Sequence, residues 1–229
     1  MLINTIGNNI QSSSSGGVPS ALTDGNTVLW VDSTQNITKD GSNRVSLWGD
    51  KSGNGNDLVG NVDTDKQPTY SSDGILFDGS TDYLKAVAFT LVQPEFIYIV
   101  VKQVAWSINK KVFDGDVANS GALQMGTSTP NLIGRAGSSG DLNGDLAVGT
   151  FGIVRLLFNG ASSTLQVDEG TVITSDNGTD DMSGFTLGAS GGLSALSNIE
   201  VKEIIIRKVA DGAGDESAIY NYLSNKYAI

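Results

Sequence analysis

Any chemistry in this chain has to run on oxygen and on the nitrogens of lysine, arginine and amides, because its 229 residues include no cysteine and no histidine. That excludes disulfides, thiol nucleophiles, Cys/His zinc sites and every triad or general base built on imidazole. Asp, Glu, Lys and Tyr remain for acid–base work, and any bound metal would be a hard cation held by oxygen. Carboxylate pairs are therefore the first candidates. Asp168-Glu169 precedes Gly170 and reads as a turn. Glu200 and Glu203 share one apolar segment, where two-residue alternation sends them to opposite faces. Glu203, between Val201 and Ile205, is expected to be buried and structural, with Arg207 or a Trp or Tyr as its partner.

A sugar site pairs an aromatic platform with Asn and Asp side chains. Trp106 is the candidate platform, since it follows an apolar strand and precedes Ser107-Ile108-Asn109-Lys110-Lys111. At that position it either stands at a rim or closes the core. Trp30 and Trp48 read as core. Nucleic acid is disfavoured as a partner: Lys110-Lys111 is an isolated basic pair, and 14 Lys+Arg against 25 Asp+Glu give a net charge of −11.

The elements that must position these residues are mostly strands. Val28–Val31, Gly74–Phe77, Phe96–Val104, Ile153–Phe158, Thr164–Val167 and Val201–Val209 are rich in β-branched and aromatic residues. Asp-Gly and Asn-Gly pairs such as Asp40-Gly41, Asp78-Gly79 and Asn159-Gly160 punctuate them and suit tight hairpins. Many short strands with recurring turn signals predict an antiparallel β-sandwich and argue against βαβ units. One helix is predicted near the C-terminus. Asp215 caps it after Gly214, Ile219, Tyr222 and Leu223 share its apolar face, and it packs on the sandwich edge. Residues 1–20 read as an arm, in which Leu2, Ile3 and Ile6 form an apolar tip ahead of the Gln11–Gly17 Ser/Gly linker. Residues 21–229 form one sandwich domain. No basic leader and no apolar stretch of bilayer length is seen, so the expectation is synthesis in the cytoplasm without membrane insertion.

Four segments carry a resemblance. They are Trp48-Gly49-Asp50-Lys51-Ser52-Gly53-Asn54-Gly55-Asn56-Asp57-Leu58; Gln67–Tyr70 leading into Phe77-Asp78-Gly79 and Asp82-Tyr83-Leu84; Gly184–Gly188; and Ile199–Ile206 closing with Glu216 and Tyr222–Tyr227. Their order resembles the concanavalin A-like, laminin-G-like jelly-roll domains of tailed-bacteriophage structural proteins and bacterial surface proteins, over residues 25–229. The resemblance implies an all-β antiparallel sandwich with a short C-terminal helix and an extended N-terminal arm. It also implies a possible calcium ion at the rim, with Asp50, Asn54, Asn56 and Asp57 as ligands, or the Asp114-Gly115-Asp116 and Asp141-Asn143-Asp145 loops. The last has alternate polar spacing but lacks the downstream Glu of an EF-hand. Glucanases of the same fold family carry a Glu-x-Asp-x-Glu strand, which this sequence lacks.

The function expected on this basis is a non-enzymatic virion subunit, a capsid decoration or tail-associated protein. It would be a homo-oligomer bound to other virion proteins through Leu2, Ile3 and Ile6. The alternative is a glycan-binding adhesin that recognises host surface polysaccharide, and a polysaccharide-degrading enzyme ranks third.

Overall fold

The computed structural model describes residues 17–137 and 142–229. Among them, two antiparallel sheets of eight and nine strands stack into a sandwich. The eight-stranded sheet is built around Glu95–Ala105, which pairs with Phe151–Phe158 on one side and Asn198–Arg207 on the other. Two short strands lie end to end along the far side of Asn198–Arg207. Ile75–Asp78 pairs with its first half and Thr27–Asp32 with its second.

The nine-stranded sheet includes Val45–Trp48, Leu58–Gly60, Lys111–Asp114, Ala122–Met125, Asn131–Arg135 and Asn143–Asp145. Between the sheets, Trp48, Phe77, Phe113, Phe158 and Phe185 are fully buried. Trp48 is thus core, as its sequence context predicts. The edge strand Asn143–Asp145 comes so close to the other sheet that a Cβ on Gly144 would stand 2.7 Å from Leu165. A larger residue there would have to displace the Leu165 and Val167 side chains.

The helix Ala213–Tyr227 lies differently from expectation. It covers the outer face of the eight-stranded sheet and does not pack on the sandwich edge. Ile219, Tyr222 and Leu223 bury a second apolar layer against Trp30, Tyr98, Val100, Ile153 and Ile205. The sheet is therefore apolar on both faces, which is why Phe96 to Val101 is an unbroken hydrophobic run. The cap also differs. Gly212 occupies the N-cap without a side-chain bond, and Asp215 sits in the first turn, where its charge suits the helix dipole.

At the start of the described chain, the turn Ser20–Thr23 buries Ala21 and Leu22 beneath the helix. Arg207 clamps this turn to the last strand, ion-pairing with Asp24 at 2.9 Å and Asp211 at 2.8 Å. Among the described residues, no helix is long and apolar enough to cross a membrane.

Candidate functional site

The loop after Trp48 holds the first set of predicted site residues. Asp50 accepts from the Trp30 and Ser52 amides with one oxygen, and from the Ser52 hydroxyl and Asn56 amide with the other. Asp57 accepts from the Asp50 amide at 2.7 Å. Asn54 and Asn56 turn their side-chain N–H groups onto the carbonyls of Thr27 and Val28. The structure brings these four residues together, but as a self-capped loop stapled to the strand Thr27–Asp32. Both Asp50 oxygens and one Asp57 oxygen thus accept from protein donors, so hydrogen bonds within the loop and to that strand account for its shape.

The other predicted loops are arranged similarly. Asp114 is buried and accepts from the Gly115, Asn119 and Gly191 amides, while Asp116 pairs with Lys85. Asp141 lies outside the described residues, as do Leu2, Ile3 and Ile6. Among the described residues, no three acidic side chains gather at one point in a way that could hold a metal.

Glu203 is buried, as expected, but its partners are Trp30, Tyr222, Tyr227 and Lys226, at 2.6 to 3.0 Å, and Arg207 is engaged elsewhere. Lys226 also reaches Asp32 at 2.6 Å, and Lys51 joins Asp32 from the loop. Burial opposes charge on both groups. The Lys226 and Thr34 bonds nevertheless hold the Asp32 carboxyl well below the usual range, and Glu203 and Asp32 hold the Lys226 ammonium well above its own. The register corrects one expectation. A bulge at Lys202 places Glu200 opposite Lys102 and Glu203 opposite Val100, so both glutamates share the outer face. They do not form a pair: Glu200 bonds Lys102 and Ser71, while Glu203 lies under the helix.

Trp106 stands where the chain crosses from one sheet to the other. It is half-buried against the core, and its indole N–H is directed at the Asn131 carbonyl, 3.4 Å away. The two readings left open by the sequence thus combine in one residue: one side closes the core, and the rest stays at the rim. The strand Asn131–Arg135, whose first carbonyl Trp106 faces, belongs to the nine-stranded sheet. Asn131, Ile133 and Arg135 alternate outward there, as do Gln124 on the next strand and Asn143 and Asp145 on the edge. Asn131 donates to Asp145 at 3.2 Å. Gln124 donates to Asn109 at 3.3 Å and accepts from the buried Lys111, which also reaches Asn119. Burial lowers the Lys111 pKa. The result is an amide-rich, hydrogen-bonded outer sheet face.

Sequence reasoning missed two titratable groups. Glu95 is fully buried. One oxygen accepts from the Met182 amide at 2.8 Å, the other has no partner, and burial raises its pKa to about 8. Asp82 is raised to about 6 by burial and by the charge of Asp78. Neither stands out in the sequence, because acidic residues beside turns and prolines are ordinary there.

No family model matches this chain, and no curated protein is significantly similar to it. Solved structures do share its fold. Trypanosoma rangeli sialidase in complex with sialic acid matches with a TM-score of 0.61 at 13% identity, over 92% of this chain and 35% of that one. A mutant of that sialidase displaying trans-sialidase activity matches at 0.62 and 14% identity, over 92% and 34%. A GH54 α-L-arabinofuranosidase mutant soaked with 4-nitrophenyl α-L-arabinofuranoside matches at 0.60 and 13% identity, over 79% and 50%. The chain spans about a third of the length of the sialidases and half that of the arabinofuranosidase. At this identity the likeness establishes the β-sandwich and no more. These neighbours are a sialidase and an arabinofuranosidase, not bacteriophage structural proteins, and they overturn the expectation of a virion subunit.

Proposed function

We propose that this chain is a non-enzymatic glycan-binding domain whose saccharide surface is the outer face of the nine-stranded sheet beside Trp106. The observation that carries the reading is that the half-buried Trp106 directs its indole N–H at the backbone carbonyl of Asn131, whose side chain is hydrogen-bonded to Asp145 on the neighbouring edge strand. A pyranose presents an apolar face of C–H groups and a rim of hydroxyls. The ring takes the first, and amide and carboxylate side chains take the second. Rigid strands hold these groups, so little ordering entropy is lost on binding. Solved relatives in fold that act on sialosides and arabinosides give this reading its support as a class. The buried Glu95 and the fully bonded Glu203 have structural surroundings, which favours binding over turnover.

The test is a glycan array followed by titration of the best ligand. Asp145→Ala, at an exposed position, and Trp106→Ala should each weaken binding about tenfold or more, the loss of one hydrogen-bonded or stacking contact of roughly 1.4 kcal/mol. An array with no ligand, or equal affinity in both variants, would remove this surface from the account.

A further inference from the structure

The segment Phe77-Asp78-Gly79-Ser80-Thr81-Asp82 is not used by the Trp106 surface, yet it builds one wall of a separate cleft. That cleft opens on the eight-stranded sheet, on the part of the outer face that the helix leaves uncovered. Its volume is about 260 Å³, and Arg44, Asp78, Asp82, Leu76, Val104 and Asn198 line it. The turn is fixed by the sequence. Asp78 accepts from the Ser80, Thr81 and Asp82 amides, and Asp82 accepts from the Asp78 amide at 3.0 Å. Gly79 has φ +76, and a Cβ there would stand 2.9 Å from Asn198, so the chain turns tightly against that residue.

Hydrogen-bonding capacity is left over in this cleft on both sides. The Asn198 side-chain oxygen is buried and has no partner. The second Asp82 oxygen meets only the Thr81 hydroxyl, at 3.4 Å, although Asp82 is nearly inaccessible. Arg44 directs one guanidinium nitrogen to the Gln67 carbonyl and the Thr69 hydroxyl, and among the described residues no carboxylate lies within ion-pair distance of it. Buried polar groups of native proteins are nearly always satisfied, so unmet acceptors beside an available donor fork point to something that brings both. Leu76 and Val104 supply an apolar wall next to them.

We infer that this cleft binds a single neutral sugar residue, whose vicinal hydroxyls donate to Asn198 and Asp82 and accept from Arg44 while its C–H face lies on Leu76 and Val104. A vicinal diol is the common chemical group that offers a donor and an acceptor on adjacent atoms above an apolar ring. A bare cation would face Arg44, and a carboxylate would face Asp78 and Asp82. The inference goes beyond the Trp106 surface and does not depend on it, because the two lie on different sheets.

The experiment is NMR titration of the full chain with neutral methyl glycosides. The side-chain signals of Asn198, Arg44 and Trp106 report the two sites separately. A dissociation constant on the order of 1 mM is expected for a ligand of about a dozen heavy atoms. Shifts at Asn198 and Arg44 that are lost in Asn198→Ala but kept in Trp106→Ala would support the site. Val104→Trp blocks the mouth at an exposed position without touching a polar group, and it should also abolish the shifts if Asn198→Ala folds poorly. Shifts confined to Trp106 would overturn this inference and leave the Trp106 surface standing. No shift at any of the three residues would overturn both.

Discussion

Two buried acids show how one residue type serves opposite ends. Glu203 meets four donors beneath the helix, whereas Glu95 meets one donor and is held near a pKa of about 8 by burial. The difference is one of partners, since both side chains are fully inaccessible. For Glu95 the folded value lies above its ordinary 4.5. The stability tied to its neutral form is complete below that ordinary value and is lost as pH rises through about 8. Glu95→Gln keeps an acceptor for the Met182 amide and cannot ionise. It should therefore leave stability nearly unchanged at roughly pH 4 and raise it by on the order of 3–5 kcal/mol at roughly pH 9. Urea titrations at the two pH values check this, and equal effects at both would mean that Glu95 does not titrate with folding. Asp32 and Asp24 have the opposite sign, because their lowered values make acid the destabilising direction.

At the level of elements, the six strands legible in the sequence all belong to the eight-stranded sheet. That sheet has the helix on one face and the other sheet on the opposite face, so its strands read as continuous apolar runs such as Phe96–Val101 and Ile153–Phe158. The strands that escaped notice, Lys111–Asp114, Ala122–Met125 and Asn131–Arg135 among them, lie in the nine-stranded sheet. They are short and carry Lys111, Gln124, Asn131 and Arg135 on a face the helix does not cover, which dilutes the hydrophobic signal. The candidate site is on that sheet. Trp106 was visible because a tryptophan beside Asn and Lys is conspicuous, whereas Asn131 and Asp145 become neighbours only through pairing between strands distant from Trp106 in sequence. The bulge at Lys202 was likewise invisible, since both phases of the strand are apolar.

The helix carries its own prediction: Leu223 is fully buried, so Leu223→Ala should destabilise the fold by about 2–5 kcal/mol, while exposed Asn221→Ala should change it little. Thermal unfolding followed by circular dichroism decides this, and a parental melting curve for Leu223→Ala would mean the helix is not held to the sheet.

The whole molecule is asymmetric in a way that bears on its ligands. The helix covers much of one outer face and the other remains polar, while the entire chain carries a formal net charge of −11. That field acts over about 30 Å at 0.01 M salt and about 8 Å at 0.15 M. An acidic polysaccharide approaching the Trp106 face meets this repulsion before it meets any specific contact, and a neutral glycan does not. Of the cations on the nine-stranded sheet, Lys85 is paired with Asp116 and Lys111 with Asn119 and Gln124, while Arg135 stands on the outer face. Association rates measured on immobilised polysaccharides should rise with salt for a uronic-acid polymer and stay flat for a neutral glucan or arabinan. Repulsion between like charges slows encounter and is relieved by screening, whereas hydroxyl contacts carry no net charge to screen. If binding of the acidic polymer weakens as salt is added, attraction outweighs the net field. A cationic patch on this face, and not the overall charge, would then set its choice of glycan.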